Sequence, residues 1–438
     1  MRTVIQDNDK QVLGGVLGAW DFRGISTNEY THGSHLYPAV MNPHIARRLI
    51  RLYGKEASNI LDPYCGSGTS LVEAKLAGLS ADGFDLNPIA RLMSKVKTEN
   101  YDIGELDQFI RSITEKLDSI DLIGWTEAVD SSGFSAESIR TWFPDKTVQE
   151  ISTFLDLINS HGASDEKCKL FGRIALSDCL RAVSIQRMNE WKNYRKKGWR
   201  EEDINSNYMT LEPLFVQKMR SNFSGLRSFH DKLTQSLNLH STEVRIYDTD
   251  SVKTSTFSST PAGGYDMVVT SPPYGDSRTT VAYEEFSWLT NVWLGLDIRS
   301  PGNLGREMMG GTIIDGISKF GCRAIDSAIG NMDADSAYKN FSFYHDYLES
   351  IKNISQNVRK GGFVCYVVGN RTSGGELMRM DLFTRWGFEK NGFKRVGKIK
   401  KRKLSNTRMP GAIAVTGKGR KKILPTMSHE YIVVCKKS

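Results

Sequence analysis

Residues Thr270–Tyr274 read TSPPY and follow directly on the apolar run YDMVV. Two consecutive prolines fix the backbone and remove two N–H donors, so the carbonyl oxygens of the turn remain as acceptors. Ser271 adds a hydroxyl and Tyr274 a flat ring. Such a site can grip a planar group that carries an amine, the ring stacking on it while oxygen atoms accept its N–H groups. An enzyme acting on an extruded nucleobase needs that arrangement. An ordinary Pro-Pro turn after a strand has the same sequence, so TSPPY alone leaves both readings open.

A second group runs from Asp62 to Thr69, DPYCGSGT, with Asp85 closing the next predicted strand. Gly66 and Gly68 let the backbone pass close to a ligand, and the helix that follows offers its free N–H groups there. An acidic residue at the end of the second strand can accept from ribose hydroxyls. A tight strand-to-helix turn without a ligand fits as well. The GxGxxG spacing of NAD sites and the GxxxxGK[ST] of ATP sites are both absent. His32 and His35 are spaced to serve a metal, but nothing nearby completes a ligand set, so no metal is expected. The six cysteines contain no CxxC pair, which argues against a zinc knuckle and a disulfide framework and suits a reducing compartment.

The elements that must hold these groups are legible as alternating short apolar runs and helical patterns. A helix over 42–53, a strand ending at Asp62, a helix over 70–77 and a strand over 80–84 make a right-handed strand–helix–strand unit, and hence a parallel sheet. From about 101 to 240 the pattern is helical only, with Leu106, Phe109, Ile110, Ile113 and Leu117 on one face. Strand signals return at 244–247, 265–269 and 362–368, the last preceded by a helix over 344–358. Runs at 393–399 and 431–435 read as a closing pair of strands. Residues 297–340 are glycine-rich and read as a loop-like second insertion. The aromatics Phe286, Trp288, Trp293, Phe341, Phe343 and Tyr344 read as packing residues.

The chain has 438 residues and a formal charge of +8, within the range of a soluble globular protein. No apolar run approaches the roughly 20 residues of a membrane-spanning helix, and no secretory leader is evident, so a cytoplasmic, nucleoid-associated protein of a bacterial or archaeal cell is expected. The excess charge is local: residues 398–422 hold ten Lys/Arg and no Asp/Glu. Lys400, Lys401, Arg402 and Lys403 in that segment, read as a loop, are candidates for contacting DNA phosphates, as are Arg187, Lys192 and Arg195 in the basic aromatic stretch 187–200. A solvated surface is the alternative for both.

Taken together, DPYCGSGT, FDLNP and TSPPY resemble the motifs of amino-group DNA methyltransferases that use S-adenosylmethionine, with TSPPY similar to the cytosine-N4 group. THGSHLYPAVMNPHIARRLI resembles the segment that lines the methionine end of the cofactor, and TSPPYGDSRTTVAYEEFSWLTNVWLG extends the likeness. The resemblance covers roughly 28–98 and 243–438. It implies an α/β, Rossmann-like fold with a mostly parallel seven-stranded sheet and a large helical insertion: a cofactor half over 28–100, an insertion over 101–240 and a catalytic half over 241–438. Asp62, Pro63, Cys65, Gly66, Gly68 and Thr69 would surround the methionine part of S-adenosylmethionine, with His35, Tyr37 and Pro38 closing that pocket. Asp85, with Leu86 and Asn87, would hold the ribose, and Asp250 with Ser251, or the neighbouring Asp248, the adenine. Ser271, Pro272, Pro273 and Tyr274 would hold the target base.

Many relatives with TSPPY place that motif before the cofactor motif; here the order is reversed. The reversal leaves the chemistry alone but not the location of target recognition, for which 101–240 and 297–340 are candidates. The implied activity is site-specific transfer of a methyl group to cytosine N4 in double-stranded DNA, as the modification enzyme of a restriction–modification system with a cognate endonuclease, and with no metal. Adenine N6, an RNA amine, and a catalytically inactive DNA-binding protein of the same fold are the alternatives. The absence of a Pro-Cys pair argues against cytosine-C5 chemistry.

Overall fold

The computed structural model describes residues 20–161, 165–188, 191–198, 210–236, 242–276, 281–296, 303–404, 412–417, 420–425 and 427–438. Its centre is an eight-stranded sheet built from β1 (Asn59–Asp62), β2 (Ser80–Phe84), β3 (Val244–Tyr247), β4 (Tyr265–Thr270), β5 (Val358–Gly369), β8 (Phe393–Arg395), β9 (Lys400–Lys403) and β12 (His429–Lys437). Along the sheet the order is β3-β2-β1-β4-β5-β12-β8, with β9 also paired to β12. The first five run parallel, and β12 is antiparallel to β5, β8 and β9. The seven expected strands are therefore present, and β9 is an addition.

Both faces of the sheet are covered, which explains why its strands read as continuous apolar runs. Met267, Val269, Cys365, Val367, Ile432 and Val434 face one side, under the helices Pro43–Tyr53 and Thr69–Leu76. The alternate residues Val268, Val364, Tyr366, Val368 and Val433 face the other, against Tyr344, Tyr347 and Phe383 of the helices Ala334–Asn357 and Met380–Lys390. Asn42 caps the first helix by accepting from the His44 N–H, and proline occupies its first turn.

The expected helical insertion lies between the helix Pro88–Thr98 and β3. Leu106, Phe109, Ile110, Ile113 and Leu117 are all buried, and its core is continuous with Ile89, Met93 and Val96. The long helix Leu211–Gln235 returns to the sheet, placing Phe229 and Leu233 against Val72. Gly225 permits this: a Cβ there would lie 2.2 Å from the Tyr30 carbonyl oxygen.

Three expectations need correction. Residues 297–340 are not a loop as far as they are described: Arg323–Gly330 is a helix, the following helix begins at Ala334, and Cys322, Ile325, Ile329 and Met332 are buried. Here a periodic apolar face was obscured by flanking glycines. The basic segment 398–422, as far as it is described, is not a loop either. Lys400–Lys403 is strand β9, and β10 (Ala412–Gly417) pairs with β11 (Arg420–Pro425) as an antiparallel hairpin. Third, the stretch containing Arg187, Lys192 and Arg195 is not helical at its described residues: Gln186 bridges Arg195, and Asn193 Nδ2 donates to the Glu285 carbonyl. β6 (Arg371–Ser373) and β7 (Glu376–Met378) form a further hairpin, unforeseen because each strand is only three residues long.

Phe286, Trp288 and Trp293 pack within the insertion's core, and Phe341, Phe343 and Tyr344 are buried against the sheet, as expected of packing residues. No described helix is long and apolar enough to cross a membrane.

Candidate active site

Ligands of open α/β sheets bind beyond the carboxyl ends of the parallel strands, and there β1, β2 and β4 surround a cavity. β1 ends at Asp62, and the turn after it enters the helix Thr69–Leu76 through Gly66 at φ +50° and Gly68 at φ +85°. Both glycines are needed. At Gly66 the positive φ is the reason, a Cβ there just meeting the Tyr37 ring at 3.4 Å, and a Cβ on Gly68 would lie 2.8 Å from Ser94 Oγ. The turn is thus held between the Tyr37 segment and the helix Pro88–Thr98.

Two carboxylates fix it further. Asp85, just beyond β2, accepts from the Gly66 N–H at 2.9 Å and from the Asn87 N–H at 2.8 Å. Asp62 accepts from Thr270 Oγ1 at 2.6 Å, which ties the glycine turn to the strand that carries TSPPY. Asp62 is buried and Asp85 half-buried at the cavity wall, and desolvation pushes each carboxyl up to about 6; for Asp85 the two backbone N–H groups and Arg91 oppose the rise.

Of the expected residues, Tyr37, Pro38, Asp62, Pro63, Cys65, Gly66, Thr69, Asp85, Leu86, Asp250, Ser251, Ser271 and Pro273 line one cavity. Asp250, not Asp248, reaches it: Asp248 is 66% exposed and pairs with Arg91. His35, Gly68, Asn87, Pro272 and Tyr274 stand behind the wall. His35 is hydrogen-bonded to Ser177 of the insertion and His32 to Glu73, so the two histidines face different partners. Asn87 donates to Tyr37 Oη and Ser287 Oγ, fixing the Tyr37 ring. Among the described residues no group of three or more His, Cys, Asp or Glu could hold a metal ion. All six cysteines are buried free thiols.

The lining also holds Tyr64, Ser67, Tyr283, Met308 and Met309, which the sequence motifs did not single out. Tyr283 stacks obliquely on Tyr37, with ring centroids 5.9 Å apart. Its signal was present in the AYEEFSW segment after TSPPY. The two methionines lie in the glycine-rich stretch 297–340 and carried no motif.

The TSPPY turn is braced from outside the cavity. Ser271 Oγ lies 3.0 Å from Tyr274 Oη and 3.1 Å from the Val367 carbonyl oxygen. Tyr274 Oη donates to Glu430 Oε1 at 2.9 Å, and Glu430 Oε2 accepts from Arg402 Nη1 at 2.9 Å. Arg402 is therefore not a free phosphate ligand. Its side chain is 4% exposed and held by Glu430, whereas Lys400, Lys401 and Lys403 are exposed. Arg195 is also exposed and Lys192 half-buried, while Arg187 is engaged locally, donating to the Arg195 carbonyl and lying over the Tyr194 ring.

The DNA methylase family pattern matches residues 4–95, the stretch holding the glycine turn and Asp85. Over the whole chain, the type II methyltransferase M.MvaI of Kocuria varians is 30% identical, the alignment covering 99% of this chain and 95% of that one. The chain belongs to the type II DNA methyltransferases. The methyltransferase also shares 31% identity with M.MjaII of Methanocaldococcus jannaschii over 22% of its own length and 19% of that protein. A tRNA (guanine(10)-N2)-dimethyltransferase of Methanothermobacter thermautotrophicus is 35% identical over 19% of this chain and 27% of its own.

The cofactor of this methyltransferase is S-adenosylmethionine, and the chemistry of the cavity's lining fits such a group. Ser67 Oγ is buried in the wall with no hydrogen-bond partner among the described residues, and the two carboxylates present acceptors without a contacting cation. A polar ligand with hydroxyl and amine donors meets these needs.

Proposed function

We propose that the enzyme methylates the exocyclic N4 amine of a cytosine flipped out of duplex DNA, at a specific sequence, as the modification partner of a restriction endonuclease. The observation that supports this reading is the position of Ser271: it shares the cavity wall with Asp85 and Asp250 and precedes the two prolines, where Ser rather than Asp accompanies the resemblance to the cytosine-N4 group. Alignment with a type II methyltransferase over nearly the whole chain, against one fifth for the tRNA enzyme, supports DNA over RNA.

The cofactor supplies an electrophilic methyl group. The protein's task is to make a poor nucleophile attack it, since the lone pair of an aromatic amine is delocalised into the ring. Accepting its N–H groups at Ser271 Oγ and the Pro272 carbonyl favours a tetrahedral nitrogen and stabilises the positive charge that develops there. Tyr274, whose hydroxyl lies 3.0 Å from Ser271 Oγ, braces the serine from behind the wall, while Asp85 and Asp250 hold ribose and adenine. Digesting methylated duplex DNA and analysing its nucleosides tests the reading. N4-methylcytosine is expected; N6-methyladenine would move the substrate to adenine, and methyl incorporation into tRNA or rRNA alone would move it to RNA.

The exposed lysines of β9 lie beside the TSPPY turn through Arg402 and are assigned to DNA phosphates. Replacing Lys400, Lys401 and Lys403 with Gln is expected to reduce the slope of log K against log salt by up to about 0.9 for each phosphate no longer neutralised. Cofactor affinity should be unchanged, and an unchanged salt slope would make these lysines solvated surface.

A further inference from the structure

We propose that Glu430 is the proton-accepting end of a hydroxyl chain that starts at Ser271, so that the proton released on methylation leaves through Ser271 and Tyr274 into the protein. The proposal rests on the reading of Ser271 as the acceptor for the target amine.

The chain has a direction because each hydroxyl carries one proton. Tyr274 spends its proton on Glu430 Oε1, while Glu430 Oε2 is occupied by Arg402. The Tyr274 oxygen can then only accept from Ser271, 3.0 Å away, and the Val367 carbonyl is the other acceptor within reach of the serine proton. In both orientations Ser271 keeps lone pairs for an incoming N–H. Ser271 lines the cavity and Glu430 does not, so the chain runs from the reaction space to a half-buried carboxylate whose side chain is 14% exposed.

The sheet has made room for it. Gly369 of β5 lies opposite Glu430 of β12 in register, and a Cβ on Gly369 would stand 2.6 Å from the Tyr274 ring. Only with glycine there can the ring lie across the β5–β12 pair and bring its hydroxyl to Glu430.

The charges around Glu430 are few among the described residues. Arg402 comes from β9 and Tyr274 from the catalytic turn, with Tyr283 beyond it; β5 contributes only the glycine. His429, Tyr431 and the neighbouring Lys401 and Lys403 alternate to the opposite side of their strands, while the exposed Lys400 lies on the Arg402 side, opposite Ile432. Burial raises the carboxyl above its ordinary range and Arg402 pulls it back, which suits a group that must take up a proton and then lose it.

In the step, the amine lone pair forms the N–C bond while the C–S bond breaks and its electron pair stays on sulfur. The surplus proton on nitrogen passes to Ser271 Oγ, the Ser271 proton to Tyr274 Oη, and the Tyr274 proton to Glu430 Oε1. Glu430 then returns its proton to water before the next turnover. The sulfonium charge lost and the proton gained balance.

Single-turnover methyl transfer to duplex DNA, measured against pH at saturating cofactor, tests this. Saturation keeps the titrations of Asp62 and Asp85, both in the cofactor cavity, out of the profile. Glu430→Gln preserves an acceptor for Tyr274 but cannot take a proton. It should lower the rate near neutral pH on the order of tenfold, below the effect of a base in direct contact, and abolish the acid limb. Arg402→Met removes the charge that favours the carboxylate, so the acid limb should move to higher pH. Because Glu430→Gln leaves a buried guanidinium without its counter-charge, the Glu430→Gln/Arg402→Met double variant serves as the fold control: its melting temperature should recover while its rate does not. Tyr274→Phe keeps the ring and cuts the chain, and adding Glu430→Gln to it should cost nothing more. A Glu430→Gln enzyme with wild-type rate and acid limb overturns the proposal, as does an unshifted limb in Arg402→Met. If Ser271→Ala is inactive while Glu430→Gln is fully active, the relay alone falls. Full activity in Ser271→Ala removes the underlying reading as well.

Discussion

Ser271→Ala is expected to lower the rate of methyl transfer by roughly two to three orders of magnitude, the cost of removing one preorganised group aimed at developing charge in a water-poor site. The loss should fall on kcat and leave the dissociation constant of S-adenosylmethionine close to wild type, because the cofactor's proposed contacts belong to the β1 and β2 ends of the cavity. The variant should also fold: Tyr274 still donates to Glu430, and among the described residues the serine hydroxyl bonds to Tyr274 and the Val367 carbonyl alone. Isothermal titration with cofactor and single-turnover kinetics on the same preparation separate the two quantities. A wild-type rate would mean that Ser271 does not face the target amine.

Asp85→Asn carries the second large effect, this time on binding. The carboxylate accepts two backbone N–H groups at once and has lone pairs left for ribose hydroxyls. An amide side chain must turn its NH2 toward one of those N–H groups, so the glycine turn loses a fixed point and the ribose an acceptor. With charge-assisted hydrogen bonds worth about 1.5–3 kcal/mol, the cofactor dissociation constant should rise roughly 10- to 150-fold. Wild-type affinity has a matching pH dependence. The Asp85 carboxyl titrates at about 6 in the empty cavity, so affinity should fall as pH drops through that value, and binding near it should release protons. Stability runs the other way. The folded-state value lies above the usual 3.8, so the folded chain holds the proton more tightly than the unfolded chain does. The stabilisation from this group is full below about 3.8 and is lost as pH rises through about 6. The melting temperature of Asp85→Asn relative to wild type, both without cofactor, should therefore increase with pH across that window. Calorimetry in buffers of different ionisation heat checks the proton release.

Much of this site was legible because its parts are local in sequence. DPYCGSGT is a strand end, a turn and a helix start within eight residues, and glycine spacing reports such a turn directly. TSPPY likewise carries its own backbone geometry. Glu430 was not legible: nothing in HEYIVV marks it, and it reaches Tyr274 only because β12 lies beside β5. Arg402 was misread for a related reason. In KKRK composition sees four equal cations, whereas strand pairing turns the third one inward to a carboxylate. The pairing that hides it is a property of the sheet, and the segment's charge masked the strand. The helices within 297–340 escaped notice because glycines interrupt their apolar spacing, although Ile325 and Ile329 sit one helical turn apart.

The place of β12 in the strand order also bears on how the molecule assembles. β8 precedes β12 in the chain, yet β12 separates it from β5 in space. Until β12 slides between them, the helix Met380–Lys390 and β8 have no finished sheet to join, while the glycine turn, Asp85 and β4 can already pack on one another. The nascent protein should thus acquire cofactor affinity before methyl-transfer competence. Tyr274 gains its anchor only when β12, the last strand to be synthesised, pairs with β5. A translation time course in which bound cofactor appears ahead of transferred methyl would be the mark of that late strand.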